Sequence, residues 1–243
     1  MKKTLKPNQK DPESKKKQII NLFNSISPNY DSLNRIMTFG IDIVWRKRVV
    51  RLVQKQKHNS ILDIATGTGD LALSLAKLNS NTIIGLDISK EMLSIGKQKV
   101  LSKNLNHRIK MLSGDSEDLN FKDESFDIVT ISFGIRNLEN IEKGLNEIKR
   151  VLKSKGALVI LETSVPKNII VKSLYLLYVR KIIPFISFIL SNNRVAYQYL
   201  SDSAIAFPCG ESFNNILRKN GFIEVDDFPQ TFGVSSIYFA KKP

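Results

Sequence analysis

Asp63, Gly67, Gly69, Asp87, Asp115 and Ser132 fall, in that order, at the ends of successive apolar runs. The first run is "SILDIATGTGDLA" (60–72), which reads as a buried strand, a glycine turn and a helix. Gly67 and Gly69, with Ala72 following, fit the dinucleotide fingerprint G-x-G-x-x-G/A. Asp63 before the turn and Asp70 after it argue against a pyrophosphate, which wants a neutral or positive lining. The same acids suit a ligand that carries an ammonium and a sulfonium, namely S-adenosylmethionine. The glycines keep a purpose there, because backbone without side chains lets the ligand's methionine portion approach closely. Asp87 ends the next strand twenty residues after Gly67 and can accept both ribose hydroxyls, a role shared with nicotinamide enzymes. In "GDSEDL" Asp115 can accept from the adenine amino group while the Ser116 backbone meets the ring. Ser132 ends the fourth strand, near the switch point where open α/β sheets bind ligands. Singly, a strand-end aspartate is more often a helix cap or turn former. In this order the set specifies an S-adenosylmethionine pocket.

The elements that must position these residues follow a regular alternation. "SILDIA", "TIIGLD", "IKMLSG", "FDIVTISF" and "GALVILET" read as strands, with helices at Asp70 to Leu78, Lys90 to Leu101 and Ile141 to Leu152. That is the βαβαβ pattern of an open parallel sheet. The tail "FIEVDDFPQTFGVSSIYFAKKP" holds two alternating runs and a short loop, an antiparallel hairpin at the sheet edge. Ahead of the sheet, residues 15 to 27 place Ile19, Ile20, Phe23 and Ile26 at helical spacing, and a later helix turns Trp45, Val49 and Leu52 inward. Residues 18–57 form an N-terminal cover on a single domain that spans 18–243. Residues 1–17 carry seven lysines and two prolines and read as a solvated, flexible basic tail without the apolar core of a secretory signal.

Composition narrows the class. The 243 residues suffice for one α/β domain with a substantial core. The single cysteine, Cys209, rules out an internal disulfide and thiolate clusters, and no metal site is expected. The net charge of +14 points to nucleic acid or an anionic membrane surface as physical partners.

"YDSLNRIMTFGIDIVWR" (30–46), "DIATGTGDLA" (63–72), "TISFGIRNLEN" (130–140) and "YQYLSDSAIAFPCG" (197–210) resemble the motifs of the UbiE/MenG quinone C-methyltransferases. The resemblance covers about Phe23 to Ala240. It implies a class I, Rossmann-like methyltransferase fold with a mostly parallel seven-stranded sheet. It implies methylation of a ring carbon of a prenylated quinol, chiefly demethylmenaquinol to menaquinol, with the methoxy-benzoquinol precursor of ubiquinone as the alternative. It carries cofactor contacts onto Thr68, Asp87, Asp115, Ser116 and Ser132. The departures are Thr66, where a small residue is common, and a slightly short segment between Gly69 and Asp87.

The chemistry can be argued from the residues as well. The sulfonium is a good electrophile, so the enzyme needs an aligned nucleophile behind the methyl carbon. A quinol carbon becomes nucleophilic when the adjacent hydroxyl ionises. A phenol titrates near ~10, so ionising it at pH ~7 costs about 4 kcal/mol without help. A fixed cation beside the developing phenolate is the remedy. Arg136 in "FGIRN" is the candidate, with Asn137 orienting the same oxygen; the competing role for Arg136 is an ion pair with an acid such as Glu139. Tyr30, Asp31 and Arg46 are the candidate substrate contacts within the cover.

Residues 163–201 hold no acid and five basic residues around "IIVKSLYLLYVRKIIPFISFIL". Lys172, Arg180 and Lys181 interrupt the run, so it is too short to span a bilayer. The expected structure, over about 165–200, is an apolar helical insertion with basic edges. It would line the access of an isoprenoid tail and rest on anionic lipid, or it would pack on the sheet or at a homodimer contact. The expected location is cytoplasmic, peripheral at the inner membrane face. An RNA methyltransferase is the charge-based rival. It lacks support, because "SFGIRN" stands where adenine-N-methylating enzymes carry an Asn/Asp-Pro-Pro-aromatic motif, and no nucleic acid is expected as partner. A methyltransferase for soluble phenols or amines is a second rival.

Overall fold

A computed structural model describes residues 5–190 and 193–243. Among the described residues seven strands form one sheet: β1 (Ser60–Ile64), β2 (Thr82–Asp87), β3 (Ile109–Ser113), β4 (Phe126–Ser132), β5 (Leu152–Thr163), β6 (Ile223–Gln230) and β7 (Ser235–Lys241). Their spatial order is β3-β2-β1-β4-β5-β7-β6. The first five strands pair in parallel, and β7 runs antiparallel between β5 and β6. The alternation and the terminal hairpin match the sequence reading.

The central strands are apolar on both faces because both faces are covered. Leu62, Ile64, Val129 and Ile131 belong to one buried cluster, and Ile61, Ile83 and Ile128 to the other. Each such side chain contributes roughly 1.5–3 kcal/mol by leaving water. This layering fixes the register, so the carboxyl ends of β1 to β4 lie side by side along one edge of the sheet. The order reverses between β1 and β4, which puts the switch point beside the glycine turn.

The helices are α1 (Lys15–Ile26), α2 (Tyr30–Met37), α3 (Ile41–Gln54), α4 (Asp70–Leu75), α5 (Lys90–Ser102), α6 (Ile141–Val151), α7 (Ile169–Leu177), α8 (Ile183–Leu190), α9 (Arg194–Ala206) and α10 (Glu211–Lys219). A π-helical turn, Tyr178–Ile182, joins α7 to α8. Among the described residues no helix is long and apolar enough to cross a membrane. Helix α4 stops at Leu75, short of the expected Leu78.

The basic N-terminal segment differs from its reading as a solvated tail through residue 17. Residues 1–4 lie outside the described residues. From there on the chain is tied down: the Asn8 amide donates to Gln18 (2.8 Å), and Lys6 Nζ donates to the Glu13 carbonyl (2.9 Å). Ser14 caps α1 by accepting from the Lys17 amide, so the helix starts at Lys15, where its spacing placed it, and the ordered chain begins ahead of the expected tail boundary at 17. Ile19, Leu22 and Ile26 then pack with Leu33, Met92, Tyr197 and Tyr199 into a third apolar cluster. That burial, absent from any local pattern in the first seventeen residues, anchors the segment.

Candidate active site

Two cavities open along the switch-point edge. The first, about 710 Å³, is walled by Gly67 after β1, Asp87 at the end of β2, Asp115 and Ser116 after β3, and Ser132 and Asn137 after β4. Glu117 and Glu139 add two further carboxylates, while among the described residues Lys16 is the one cation in the wall. Asp87 accepts from the amides of Gly67 (2.7 Å) and Ser89 (2.8 Å), which fixes its carboxylate across the mouth of the glycine turn. Burial raises its pKa, and those amide bonds oppose the rise. Ser132 Oγ is buried in this wall without a protein hydrogen-bond partner among the described residues. An acid-rich wall, a bare glycine backbone and an orphaned serine hydroxyl fit a cationic ligand with ribose and amine groups. They do not fit a pyrophosphate.

Two glycines on this edge meet conformational demands. Gly69 caps α4 at φ 81°, in the left-handed region that favours glycine. Gly134 follows β4, where an added Cβ would sit 2.4 Å from the Ala65 side chain. Its missing side chain lets the "FGIRN" turn lie directly against the end of β1.

Several residues expected in this wall lie behind it. Asp63 is fully buried, and its carboxylate accepts from Thr66 Oγ1 and Thr130 Oγ1, both at 2.6 Å. It braces the glycine turn from behind the walls of both cavities, and burial pushes its pKa up to about 6. Thr66, the departure from the family pattern, is thereby one of its two donors. Thr68 donates to Asp31 (2.6 Å), Asp31 pairs with Lys99 (2.6 Å), and neither is in the wall of the first cavity. These two belong to a charge network that ties the cover to the turn. Arg35 bridges Asp42 and Asp70, Arg46 pairs with Asp42, and Lys99 reaches Asp70 (2.8 Å).

The second cavity, about 1210 Å³, lies under the cover and the helical insertion. Its wall is largely aromatic and aliphatic, with Trp45, Tyr175, Tyr178, Tyr197 and Leu200 among its members, and Arg46 and Arg136 supply its cations. Tyr30 and Phe133 belong to the walls of both cavities, so the two spaces meet between these rings. Phe133 sits at φ 56° between β4 and the 3-10 turn Ile135–Asn137.

Arg136 is gripped on one side only. Its Nε donates to Ser203 (3.3 Å), and its Nη1 donates to the Phe133 carbonyl (2.9 Å) and to Glu162 Oε1 (2.5 Å). Nη2 has no protein acceptor among the described residues. The ion pair anticipated with Glu139 forms with Glu162, at the end of β5, which is 0% exposed. Glu162 and the tyrosines of the insertion were not singled out from sequence. Glu162 carries the same strand-end signal as Asp87 and could have been found by it. Asn137 faces the first cavity and accepts from the Tyr199 hydroxyl (3.2 Å).

Fold and site together define a class I S-adenosylmethionine-dependent methyltransferase. Solved structures agree at the level of fold: an S-adenosylmethionine-dependent methyltransferase of Thermotoga maritima superposes with a TM-score of 0.65 at 20% identity, covering 93% of this chain and 100% of that one. One from Methanococcus maripaludis gives a TM-score of 0.64 at 21% identity, covering 91% and 94%. The sequence goes further, since the model of the ubiE/COQ5 methyltransferase family matches residues 11–242. The chain belongs to that family. Its relatives include the demethylmenaquinone methyltransferases of Bacteroides fragilis (38% identical, covering 98% of this chain and 97% of the relative) and Chlorobaculum tepidum (40%, covering 92% of each). Another is the ubiquinone/menaquinone biosynthesis C-methyltransferase of Geotalea daltonii (42%, covering 94% and 97%).

Proposed function

We propose that the protein methylates a ring carbon of a prenylated quinol, converting demethylmenaquinol to menaquinol. The observation that carries this reading is the junction of an acid-lined cavity with a large aromatic one at Tyr30 and Phe133. The names of the relatives from Bacteroides fragilis and Chlorobaculum tepidum point to the same acceptor.

In the first cavity Asp87 takes the ribose hydroxyls, Asp115 and the Ser116 backbone take the adenine, and Gly67, Ser132 and Asn137 take the amino-acid end. When bound there, S-adenosylmethionine supplies an electrophilic methyl group on a sulfonium. In the second cavity Tyr30 and Arg46 border the quinol ring, and the apolar walls receive the prenyl chain. Arg136 presents Nη2 to the hydroxyl that must ionise and holds the resulting charge in a water-poor site. An arginine stays protonated, so its part is stabilisation rather than proton abstraction. The junction of the two cavities at Tyr30 and Phe133 would set the ring carbon in line to take that methyl group. The ring then releases a proton to regain aromaticity.

A peripheral place at the inner, anionic face of the membrane completes the reading. Phe39 (76% exposed), Leu174 (63%) and Phe232 (84%) are chain neighbours of Thr38, Tyr175 and Thr231, which line the second cavity. Lys172, Arg180 and Lys181 lie exposed on the same helical run. Apolar side chains with basic neighbours around a lipid-sized opening favour contact with anionic lipid.

The test is methyl transfer from labelled cofactor, offering reduced demethylmenaquinone, a reduced methoxy-benzoquinone precursor and bulk RNA in parallel. Label is expected at least tenfold faster in the naphthoquinol. Faster labelling of the benzoquinol would move the assignment to the ubiquinone precursor, and label in RNA alone would overturn it.

A further inference from the structure

Lys15 is the first residue of α1, and it is 3% exposed. A cation at a helix N-terminus is disfavoured by the helix dipole, and a buried ammonium is costly unless fully hydrogen-bonded. Both penalties are met by one contact. Nζ donates to the carbonyl oxygens of Arg136 (2.8 Å) and Leu138 (2.7 Å), across more than a hundred residues of chain. Those carbonyls belong to the 3-10 turn Ile135–Asn137 and the residue after it, where a helical turn leaves acceptors unsatisfied. The backbone around the ammonium is bonded as well. The Lys15 amide donates to Glu139 Oε1 (2.9 Å), and the Glu139 amide donates to Glu117 Oε1 (2.8 Å). Burial lowers the ammonium's pKa to about 8, Glu117 and Glu139 oppose the fall, and nearby Arg136 adds to it.

We infer that Lys15 is a positioning residue for methyl transfer: it clamps the turn from which Arg136 reaches the acceptor cavity and Asn137 the cofactor cavity. Helix α1 therefore belongs to the active site. The neighbouring side chains agree, because Lys16 pairs with Asp115 (2.6 Å) and Ile19 and Phe23 line the cofactor cavity. The inference rests on the reading of Arg136 as the group that faces the quinol oxygen.

The test compares Lys15→Met, which keeps the stem and removes the donors, with Lys15→Arg, which keeps charge and donors. Both are made in the full chain and in an Arg136→Ala background. Turnover on the reduced quinone is read as kcat and KM separately, binding of S-adenosylhomocysteine by calorimetry, and amide exchange at Asn137 and Leu138 by mass spectrometry. Lys15→Met is expected to lower kcat 30- to 100-fold, to change the product's Kd less than threefold, and to speed exchange at both amides at least tenfold. Lys15→Arg recovers most of kcat, and Lys15→Met adds little to Arg136→Ala, because both remove one function. A Lys15→Met enzyme with kcat within threefold of the parent and unchanged exchange overturns the inference, as do losses that multiply in the double variant. If Lys15→Met does not fold, the comparison passes to Lys15→Gln, which can keep one of the two bonds. If Arg136→Ala turns over normally, the reading of Arg136 has failed instead; faster exchange in Lys15→Met then upholds the clamp, and unchanged exchange refutes it.

Discussion

Arg136 is held by Ser203, Phe133 and Glu162, and its Nη2 is the nitrogen proposed to face the acceptor. Replacing it with alanine removes the charge proposed to face the ionising oxygen, so kcat should fall about 10²–10³-fold, as for loss of one oxyanion donor. Product binding should hold, because Arg136 stands outside the first cavity. The same change strands Glu162 as an unpaired buried carboxylate, which costs roughly 3–5 kcal/mol. Glu162→Gln in the Arg136→Ala background should therefore restore stability without restoring turnover, and denaturant midpoints beside kcat check both. Asp63 makes a separate prediction. Its pKa stands near 6 against an ordinary 3.8 because burial disfavours the charge. The proton is thus bound more tightly in the fold, and its contribution to stability is complete below about pH 4 and lost as pH rises through 6. Asp63→Asn cannot ionise. It should gain on the parent by about 2 kcal/mol between pH 4.5 and 7, at about 1.4 kcal/mol per pKa unit. Urea denaturation at the two pH values measures the difference, and a constant offset would refute the assignment.

Helices α2 and α3 owe their place over the site to charge as much as to packing. Asp42, 2% exposed, accepts from Arg35, Arg46 and Thr38, and Arg35 passes the connection on to Asp70 in the first turn of α4. The two arginines and Thr38 lower the Asp42 pKa against the effect of burial. Its contribution is present above the ordinary carboxylate range and is lost as pH falls through the lowered value. Asp42→Asn should cost about 3 kcal/mol, because it leaves two arginines short of a partner in a partly buried site. It should also weaken S-adenosylhomocysteine binding several-fold, because Asp70 follows directly on the glycine turn; calorimetry and urea denaturation together test the link. Little of this network was legible in the sequence. The strands were, since "FDIVTIS" and "TIIGLD" are apolar runs that only a two-sided sheet buries, and the acids at their ends were legible for the same reason. The role of Asp63 was not, because its orientation toward Thr66 and Thr130 depends on the neighbouring strand. Nor was the partner of Arg136, since β5 comes to lie beside β4 only in the fold. The boundary of the N-terminal tail failed on Lys15: three consecutive lysines read as solvent-facing until a carbonyl pair from the opposite half of the chain is placed above one of them.

The molecule as a whole presents a cationic body, net +14, with an apolar rim at one opening. Charge alone and apolar insertion alone make different forecasts for membrane contact. Electrostatic attraction to anionic lipid is worth about 1 kcal/mol per basic residue near the surface and is screened within about 10 Å at 0.1 M salt. An inserted phenylalanine or leucine contributes roughly 1.5–3 kcal/mol and is not weakened by salt. With both at work, the protein should sediment with vesicles rich in phosphatidylglycerol at low ionic strength. It should lose about tenfold in apparent affinity at 0.5 M salt and retain a residual association there. The double substitution Leu174→Ser and Phe232→Ser, at two side chains outside both cavity walls, should abolish that residue of binding. Turnover on a short-chain quinol in detergent-free solution should be unaffected, and the KM for a long-chain quinol presented in vesicles should rise. Sedimentation that vanishes entirely with salt would leave charge as the sole attraction. Absence of sedimentation at every ionic strength would remove the membrane from the reading, and the apolar rim would then have to face another protein surface.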